Sequence, residues 1–301
     1  MIIIKNINEN PRDPDVIFHN NLFYATYSYK GSIWIKFAAK VEELRDAKGQ
    51  IVFTFDQSLK YSKEIWAPEL HIIKGKCYIY VAVDDGDNHN HRMFVLYNES
   101  NDPLTPYKNH GIISDDSNRW AIDATVTEYN GKLYFAWSGW EGLDNVSQNI
   151  YIAEMSDPFT ISSKRVMLSK PELEWELHGS TGEKESPFVN EGPYFVKHNG
   201  QLFIVYSASG CWTRFYCLGL LKHLGGDVLD PKQWVKHPVP ILSPNETLNG
   251  PGHASFVQNA PDQEWCFYHA FINGDNCGEF NVYAHSAKLV WEKDLPKIIT
   301  D

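Results

Sequence analysis

The sequence predicts an all-β chain folded as a five-bladed β-propeller, with four-stranded blades around a central axis. Three observations predict it. Tyr, Phe, Trp, Val and Ile abound, and few long stretches carry helical periodicity. Residues 124–137 read as a strand, a tight turn at Asn130-Gly131 and a second strand; Asn-Gly suits a type I′ turn, which needs positive φ at both central residues. That hairpin is then written five times.

The copies follow in chain order. Asp123, Val126, Asn130 and Gly131 set the pattern, and Asp13, Val16, Asn20 and Asn21 repeat its spacing before LFYATY. Ala67, Leu70, Lys74 and Gly75 lead into CYIYVAV, and Gly192, Phe195, Asn199 and Gly200 into QLFIVYSA. In the fifth copy His253 and Phe256 are followed by a longer turn at 260–263 before EWCFYHA. Successive anchors at 13, 67, 123, 192 and 253 are 54, 56, 69 and 61 residues apart, which accounts for the whole chain. Each unit adds a third apolar run (SIWIKFAA, RMFVLYNE, NIYIAEMS, YCLGLLKH, NVYAHSAK). In three units an Asp-Pro pair follows, at 102–103, 157–158 and 230–231, as a turn into a short edge strand requires. Repeats of this length with about four short strands read as propeller blades. A β-sandwich, the alternative, has no reason to keep one hairpin spacing five times. Residues 1–301 are therefore expected to form a single domain with negligible helix, and the apolar run at 2–4 to pair with the last blade and close the ring.

Composition narrows the function. With 43% hydrophobic and 14% aromatic residues the chain can fill a sizeable core. A net charge of −11 without a Lys/Arg run argues against nucleic acid and anionic membranes as partners, and a neutral substrate fits better than a phosphorylated one. No apolar run approaches the length of a membrane span. The five cysteines show no CxxC spacing and read as free thiols; with no signal-peptide pattern at the start, the expected location is cytoplasmic.

If the first strand of each blade lines the axis, the strand starts form a ring around one mouth. That ring reads Asp13, Ala67 with Glu69 two residues on, Asp123, Glu191 just before its anchor, and His253. Like charges in one low-dielectric concavity repel, so three carboxylates at equivalent positions point to chemistry more than to turn capping. The connections expected on the same face carry Trp66, Trp120, Trp140 and Trp212, together with His91 and Arg119. Indole rings beside carboxylates suit a sugar, whose C–H faces pack on aromatics while its hydroxyls find polar groups. Packing between blades is the competing use of each Trp. The loop DDGDNHNH at 84–91 lacks Ca²⁺-loop and paired-His spacings and reads as a solvated rim.

The phrases RDPDV (12–16), WAPEL (66–70), WAIDATV (120–126), NEGPYF (190–195) and GPGHASF (250–256) resemble the blade-start motifs of glycoside hydrolase family 43, in order and over essentially the whole chain. DDGDNHNHRM, SGWEG and YSASG look closest to its exo-acting α-L-arabinofuranosidase branch. The resemblance implies an inverting glycosidase that needs no cofactor for its chemistry. Asp13 would be the general base, Glu191 the general acid and Asp123 the carboxylate that tunes the acid. His253 would stand near a water-coordinated Ca²⁺ on the axis. The substrate would be an oligosaccharide or polysaccharide such as arabinan or arabinoxylan fragments. Some members place an Arg from the fifth blade near the sugar, and this chain has none after Arg214. A β-xylosidase or an endo-arabinanase on the same fold is the enzymatic alternative. A non-catalytic sugar-binding propeller is the alternative of another class, but it should repeat its binding residues in every blade, and this ring differs in each. Sequence leaves the oligomeric state open.

Overall fold

A computed structural model describes residues 2–4, 12–179, 186–271 and 282–300. The chain is all-β, and its only helical turns among those residues are four three-residue 3₁₀ segments. The strands fall into five consecutive antiparallel units. Unit one contains Asp15–His19, Leu22–Tyr29, Ser32–Ala38 and Gln50–Thr54, in that order across the sheet. Unit two repeats this with Lys63–Ile73, Lys76–Asp84, Arg92–Asn98 and Lys108–Ile113. Unit three has Ala121–Tyr129, Lys132–Trp140 and Ser147–Asp157, with Thr160–Ile161 and Val166–Ser169 both on the edge of the third strand. Unit four has Phe188–His198, Gln201–Ala208, Cys217–His223 and Trp234–Lys236. A short parallel pairing (Ser147 with Phe188, Gln148 with Val189) joins units three and four into one nine-stranded sheet. Unit five has Asn249–Val257, Glu264–Phe271 and Val282–Glu292, and two strands share its outer edge. Leu295–Ile299 pairs with the far end of Val282–Glu292, and Ile2–Ile4 pairs antiparallel at Ala284 to Ser286.

Turn chemistry explains the hairpins. Asn20-Asn21, Lys74-Gly75, Asn130-Gly131 and Asn199-Gly200 all hold φ between 48° and 77°, the pair of left-handed residues that a type I′ turn requires. In the key hairpin the strands run three residues further at the open end than the apolar pattern alone suggests, back to Ala121 and on to Trp140. After the third strands, Asp102, Asp157 and Asp230 each accept the N–H two residues on, at 2.8–3.0 Å, closing the same turn beside proline three times.

The anchors share something the sequence does not display. Asp13, Ala67, Asp123, Gly192 and His253 all have φ between 42° and 55°. Left-handed backbone is uncommon for non-glycine residues, and here it recurs within or just before every first strand. In units two to five the ladder skips at this point, between Trp66 and Glu69, Ile122 and Thr125, Glu191 and Tyr194, and Gly252 and Ser255. A bulge re-aims side chains, and these are the ones expected around one mouth.

Period-two alternation then buries both faces of each unit. In Lys76–Asp84, Tyr78, Tyr80 and Ala82 pack toward unit three while Cys77, Ile79, Val81 and Val83 pack toward unit one. Five such clusters lie between consecutive units, the last between units five and one through Val16, Phe23, Val257, Trp265 and Phe267. The first strands also touch in sequence, and that of unit five touches that of unit one, so the circuit closes. Because Ile2–Ile4 completes the edge of unit five, deleting residues 1–4 should lower the unfolding temperature by a few degrees in a thermal melt; an unchanged melt would show that the pairing contributes nothing to closure.

Candidate active site

Asp13 enters the site on its left-handed kink. Its backbone N–H donates to His269 Nδ1 at 3.1 Å, and its Oδ1 lies 3.2 Å from His253 Nδ1 and 3.3 Å from His269 Nδ1. Burial would raise this carboxyl, but His253, His269 and the nearby Arg12 outweigh it and hold Asp13 well below the usual carboxylate range. Burial lowers both histidines, and the Asp13 carboxylate works against that lowering. His253 is fixed by its own N–H, which donates to Ser207 Oγ at 2.7 Å.

Glu191 and Asp123 form a second group of buried carboxyls. The anchor of unit four is Gly192, which has no side chain, and the carboxyl comes from the residue before it. Gly192 N–H donates to Asp123 Oδ2 at 3.1 Å, and Tyr216 O–H donates to Glu191 Oε1 at 2.7 Å. Both carboxyls are almost fully buried and both are raised, by burial first. Glu191 is pushed up to about 7, with Asp13 adding to the rise; Asp123 goes well above its ordinary value against the charge of Glu191. Tyr216 lies flat on Gly252, where a Cβ would come within 2.1 Å of its ring, so only glycine admits that hydroxyl to Glu191. Cys211 stands beside this pair, its thiol pushed up by burial and then by Glu191.

The ring predicted from the strand starts therefore assembles: Asp13, Asp123, Glu191 and His253 share one environment. Glu69 joins it from the side. Its Oε2 lies 3.2 Å from His71 Nε2, and burial raises it together with Asp15, which reaches about 7. Its charge also acts on Asp123, so Glu69 belongs to a buried axial group of acids.

Four rim assignments need correction. Trp120 and Trp140 are 3% and 1% exposed and stack on one another at 4.7 Å and 11°. They pack at the junction of units two and three, with Trp120 Nε1 donating to Asn88 O and His89 closing edge-on over Trp140. The blander use of an indole, packing, won because two large rings gain more from each other than from water. His91 is fully buried, with Nε2 on Glu64 O at 3.0 Å and Nδ1 on Asn88 Oδ1 at 3.1 Å, so neither nitrogen is offered to a ligand. Arg119 lines a separate recess with Asp115, Arg165 and Phe135. Trp66 and Trp212 do stand at the surface, 36% and 38% exposed. Trp66 stacks on His91 at 4.0 Å, and Trp212 donates to Gly179 O at 3.2 Å with its ring over Gly210.

Sequence reasoning missed His269, Tyr216, Arg12 and Phe215. His269 had a signal, a histidine in the second strand of unit five where units three and four have Ser138 and Ser207. Tyr216 and Phe215 had none, since their value depends on Gly252 and on His178, which stacks on Phe215 at 3.9 Å. Arg12 reaches over the Phe271 ring at 5.9 Å and acts on Asp13 and Glu191, supplying a cation from unit one where the fifth unit lacks arginine. His253 is turned toward Asp13 through Nδ1, and among the described residues no three His, Cys, Asp or Glu side chains gather as a metal site. Cys277 and most of the connection at 270–279 lie outside the described residues, as do residues 180–185 of the connection at 170–190.

The two kinds of indole should separate in a denaturant titration. Trp140→Ala is expected to cost about 3–5 kcal/mol, as for a large buried aromatic. Trp66→Ala should cost about 1 kcal/mol or less. Equal losses would contradict the assignment of Trp140 to the core.

Residues 6–294 match the family model described as "Glycosyl hydrolases family 43". The chain is 32% identical over 295 residues to alpha-L-arabinofuranosidase 43 of Humicola insolens, covering 94% of this chain and 60% of that protein. It is 33% identical over 263 residues to an extracellular exo-alpha-(1->5)-L-arabinofuranosidase of Streptomyces chartreusis, covering 83% of this chain and 77% of that one. The chain thus spans 60% of the length of the Humicola relative. In three dimensions it is similar to an alpha-L-arabinofuranosidase from Lactobacillus brevis, with a TM-score of 0.85 and 31% identity over 100% of this chain and 94% of that one.

Proposed function

Because the chain belongs to glycosyl hydrolases family 43, we propose that it is a glycosidase that releases terminal L-arabinofuranose from arabinan or arabino-oligosaccharides with inversion. The five units are then blades of a single five-bladed propeller, with the site at one mouth of the axis. The observation that carries the reading is the opposed electrostatics of the two groups. Asp13 is held ionised by two imidazoles, while the buried Asp123–Glu191 pair is pushed up and keeps a proton, Glu191 to about 7. Glycoside hydrolysis by inversion needs that split, with one carboxylate to take a proton from water and one carboxylic acid to protonate the leaving oxygen.

Each group has one task. Asp13 removes the proton of the water that attacks the anomeric carbon. Glu191 delivers its proton to the glycosidic oxygen as the C–O bond breaks. Asp123 stands beside Glu191 as the carboxyl that tunes the acid, and the Gly192 N–H on its Oδ2 works against the rise that burial and the charge of Glu191 impose on it. Tyr216 orients Glu191 and limits how far its pKa rises. Trp66, Trp212 and Phe215 offer half-exposed rings to sugar faces at the rim. The names of the Humicola, Streptomyces and Lactobacillus proteins support arabinofuranose as the glycon. A Ca²⁺ on the axis beside His253 would have to be held chiefly by water, because Nδ1 of that histidine already faces Asp13.

Two experiments test the reading. Asp13→Ala and Glu191→Ala should each abolish release of arabinose from arabinotriose while the fold survives. A p-nitrophenyl α-L-arabinofuranoside, whose leaving group needs little protonation, should partly restore turnover in Glu191→Ala and not in Asp13→Ala. Wild-type-like activity in either variant would end the assignment. Dominant release from the β-D-xyloside would keep the site and replace the glycon. For pH dependence, the active form carries Asp13 ionised and Glu191 protonated, so the alkaline limb of kcat/KM should fall near pH 7. The Tyr216 hydrogen bond favours ionised Glu191, so Tyr216→Phe should move that limb upward by roughly one pH unit. A downward move would reverse the assignment of the limb.

A further inference from the structure

Units two to five each have one residue on the second strand that lies opposite the position just before the left-handed anchor. The registers are Trp66 with Ala82, Ile122 with Ser138, Glu191 with Ser207, and Gly252 with His269. This position faces the start of the next unit. Ser138 Oγ donates to Asn190 O at 2.9 Å, and Ser207 Oγ accepts the N–H of the anchor His253 at 2.7 Å. At the junction of units five and one the same position is His269, and it accepts the N–H of the anchor Asp13 at 3.1 Å. A serine meets the backbone's need at His253. At the one junction that delivers Asp13 an imidazole stands instead, and its Nδ1 also lies 3.3 Å from Asp13 Oδ1.

The ring is built in to stay. His269 is fully buried, Tyr216 stacks on it at 5.4 Å and 14°, and His253 lies nearly parallel beyond at 6.3 Å. Its Nε2 is buried and has no hydrogen-bond partner among the described residues, which costs stability and is tolerated where a side chain has another use. In the neutral ring Nδ1 either accepts from Asp13 N–H or donates to Oδ1. Either use fixes the same residue, once through the backbone kink and once through the carboxylate.

We infer that His269 is a positioning residue for the hydrolytic step: it fixes the Asp13 carboxylate at the angle from which it activates water, without touching the sugar. The inference rests on the reading of Asp13 as the base. Because Tyr216 stacks on His269 and also holds Glu191, a rival route through the acid has to be separated experimentally.

Leaving-group dependence separates them. Loss of base function slows substrates with good and poor leaving groups alike, whereas loss of acid function is relieved by a good one. His269→Phe keeps the ring and its stacking but removes Nδ1. It should lower kcat about 100-fold, the scale of a misplacement near 1 Å, on both p-nitrophenyl α-L-arabinofuranoside and arabinotriose, with KM within about threefold of wild type. His269→Asn keeps a polar atom at the δ position and should recover about tenfold of that loss. His269→Gln, whose amide lies one bond further out, should not. The Asn–Gln contrast stands even if the Phe variant does not fold. A kcat within threefold of wild type in His269→Phe, equal activity of the Asn and Gln variants, or a loss confined to arabinotriose would overturn the inference, the last by assigning His269 to Glu191. Activity in Asp13→Ala would instead show that the reading of the base has failed.

Discussion

The left-handed kink within or just before each first strand is the constraint on which the rest of the molecule depends. Such backbone is unfavourable for most residues, and its orphaned polar groups must find partners. The partners come from neighbouring units. His269 and Ser207 take the N–H of Asp13 and His253, Asp123 takes that of Gly192, and Ser138 binds the carbonyl of Asn190. Neighbouring units thereby hold one another's entries, and the kink interrupts the ladder where Asp13, Asp123, Glu191 and His253 leave it. Without it, strict alternation would send Asp13, Asp123 and His253 into register with the packed faces of the sheets.

A ring of sheets buried on both faces supplies the second half of the design. Five apolar clusters between consecutive units make a rigid wall, and a rigid wall lets unlike charges be held where water would otherwise screen them. The same burial acts on all the carboxyls, yet it ends differently at each. Two imidazoles and a guanidinium overcome it at Asp13. At Glu191 and Asp123 the single hydrogen bonds do not, and neighbouring carboxylates add to it, Asp13 at Glu191 and Glu191 at Asp123. Asymmetry within a fivefold repeat is thus a matter of what stands beside each anchor.

Much of this was legible in the chain. The type I′ turns, the recurring anchors, the Asp-Pro turns and the three carboxylates with His253 follow from local rules, since a turn residue or an alternating strand needs only its sequence neighbours. The rim was less legible. Trp120 and Trp140 stand near strand ends much as Trp66 and Trp212 do, and nothing in their surroundings in sequence says that the first two face each other. His91 was misjudged because its Nε2 partner, the Glu64 carbonyl, comes from the first strand of its unit, 27 residues away.

What the sequence by itself determined is the unit: its hairpin, its spacing, its number of copies and the chemical identity of each anchor. The tertiary structure alone decided which side chains meet at the anchors. His269 reaches Asp13 across 256 positions, and Tyr216 reaches Glu191 only because Gly252 leaves its ring room. The reason is physical. Turns and strand periodicity are set by backbone sterics over a few residues, whereas a carboxyl's charge state and orientation are set by whatever the closed ring brings within hydrogen-bonding distance of it.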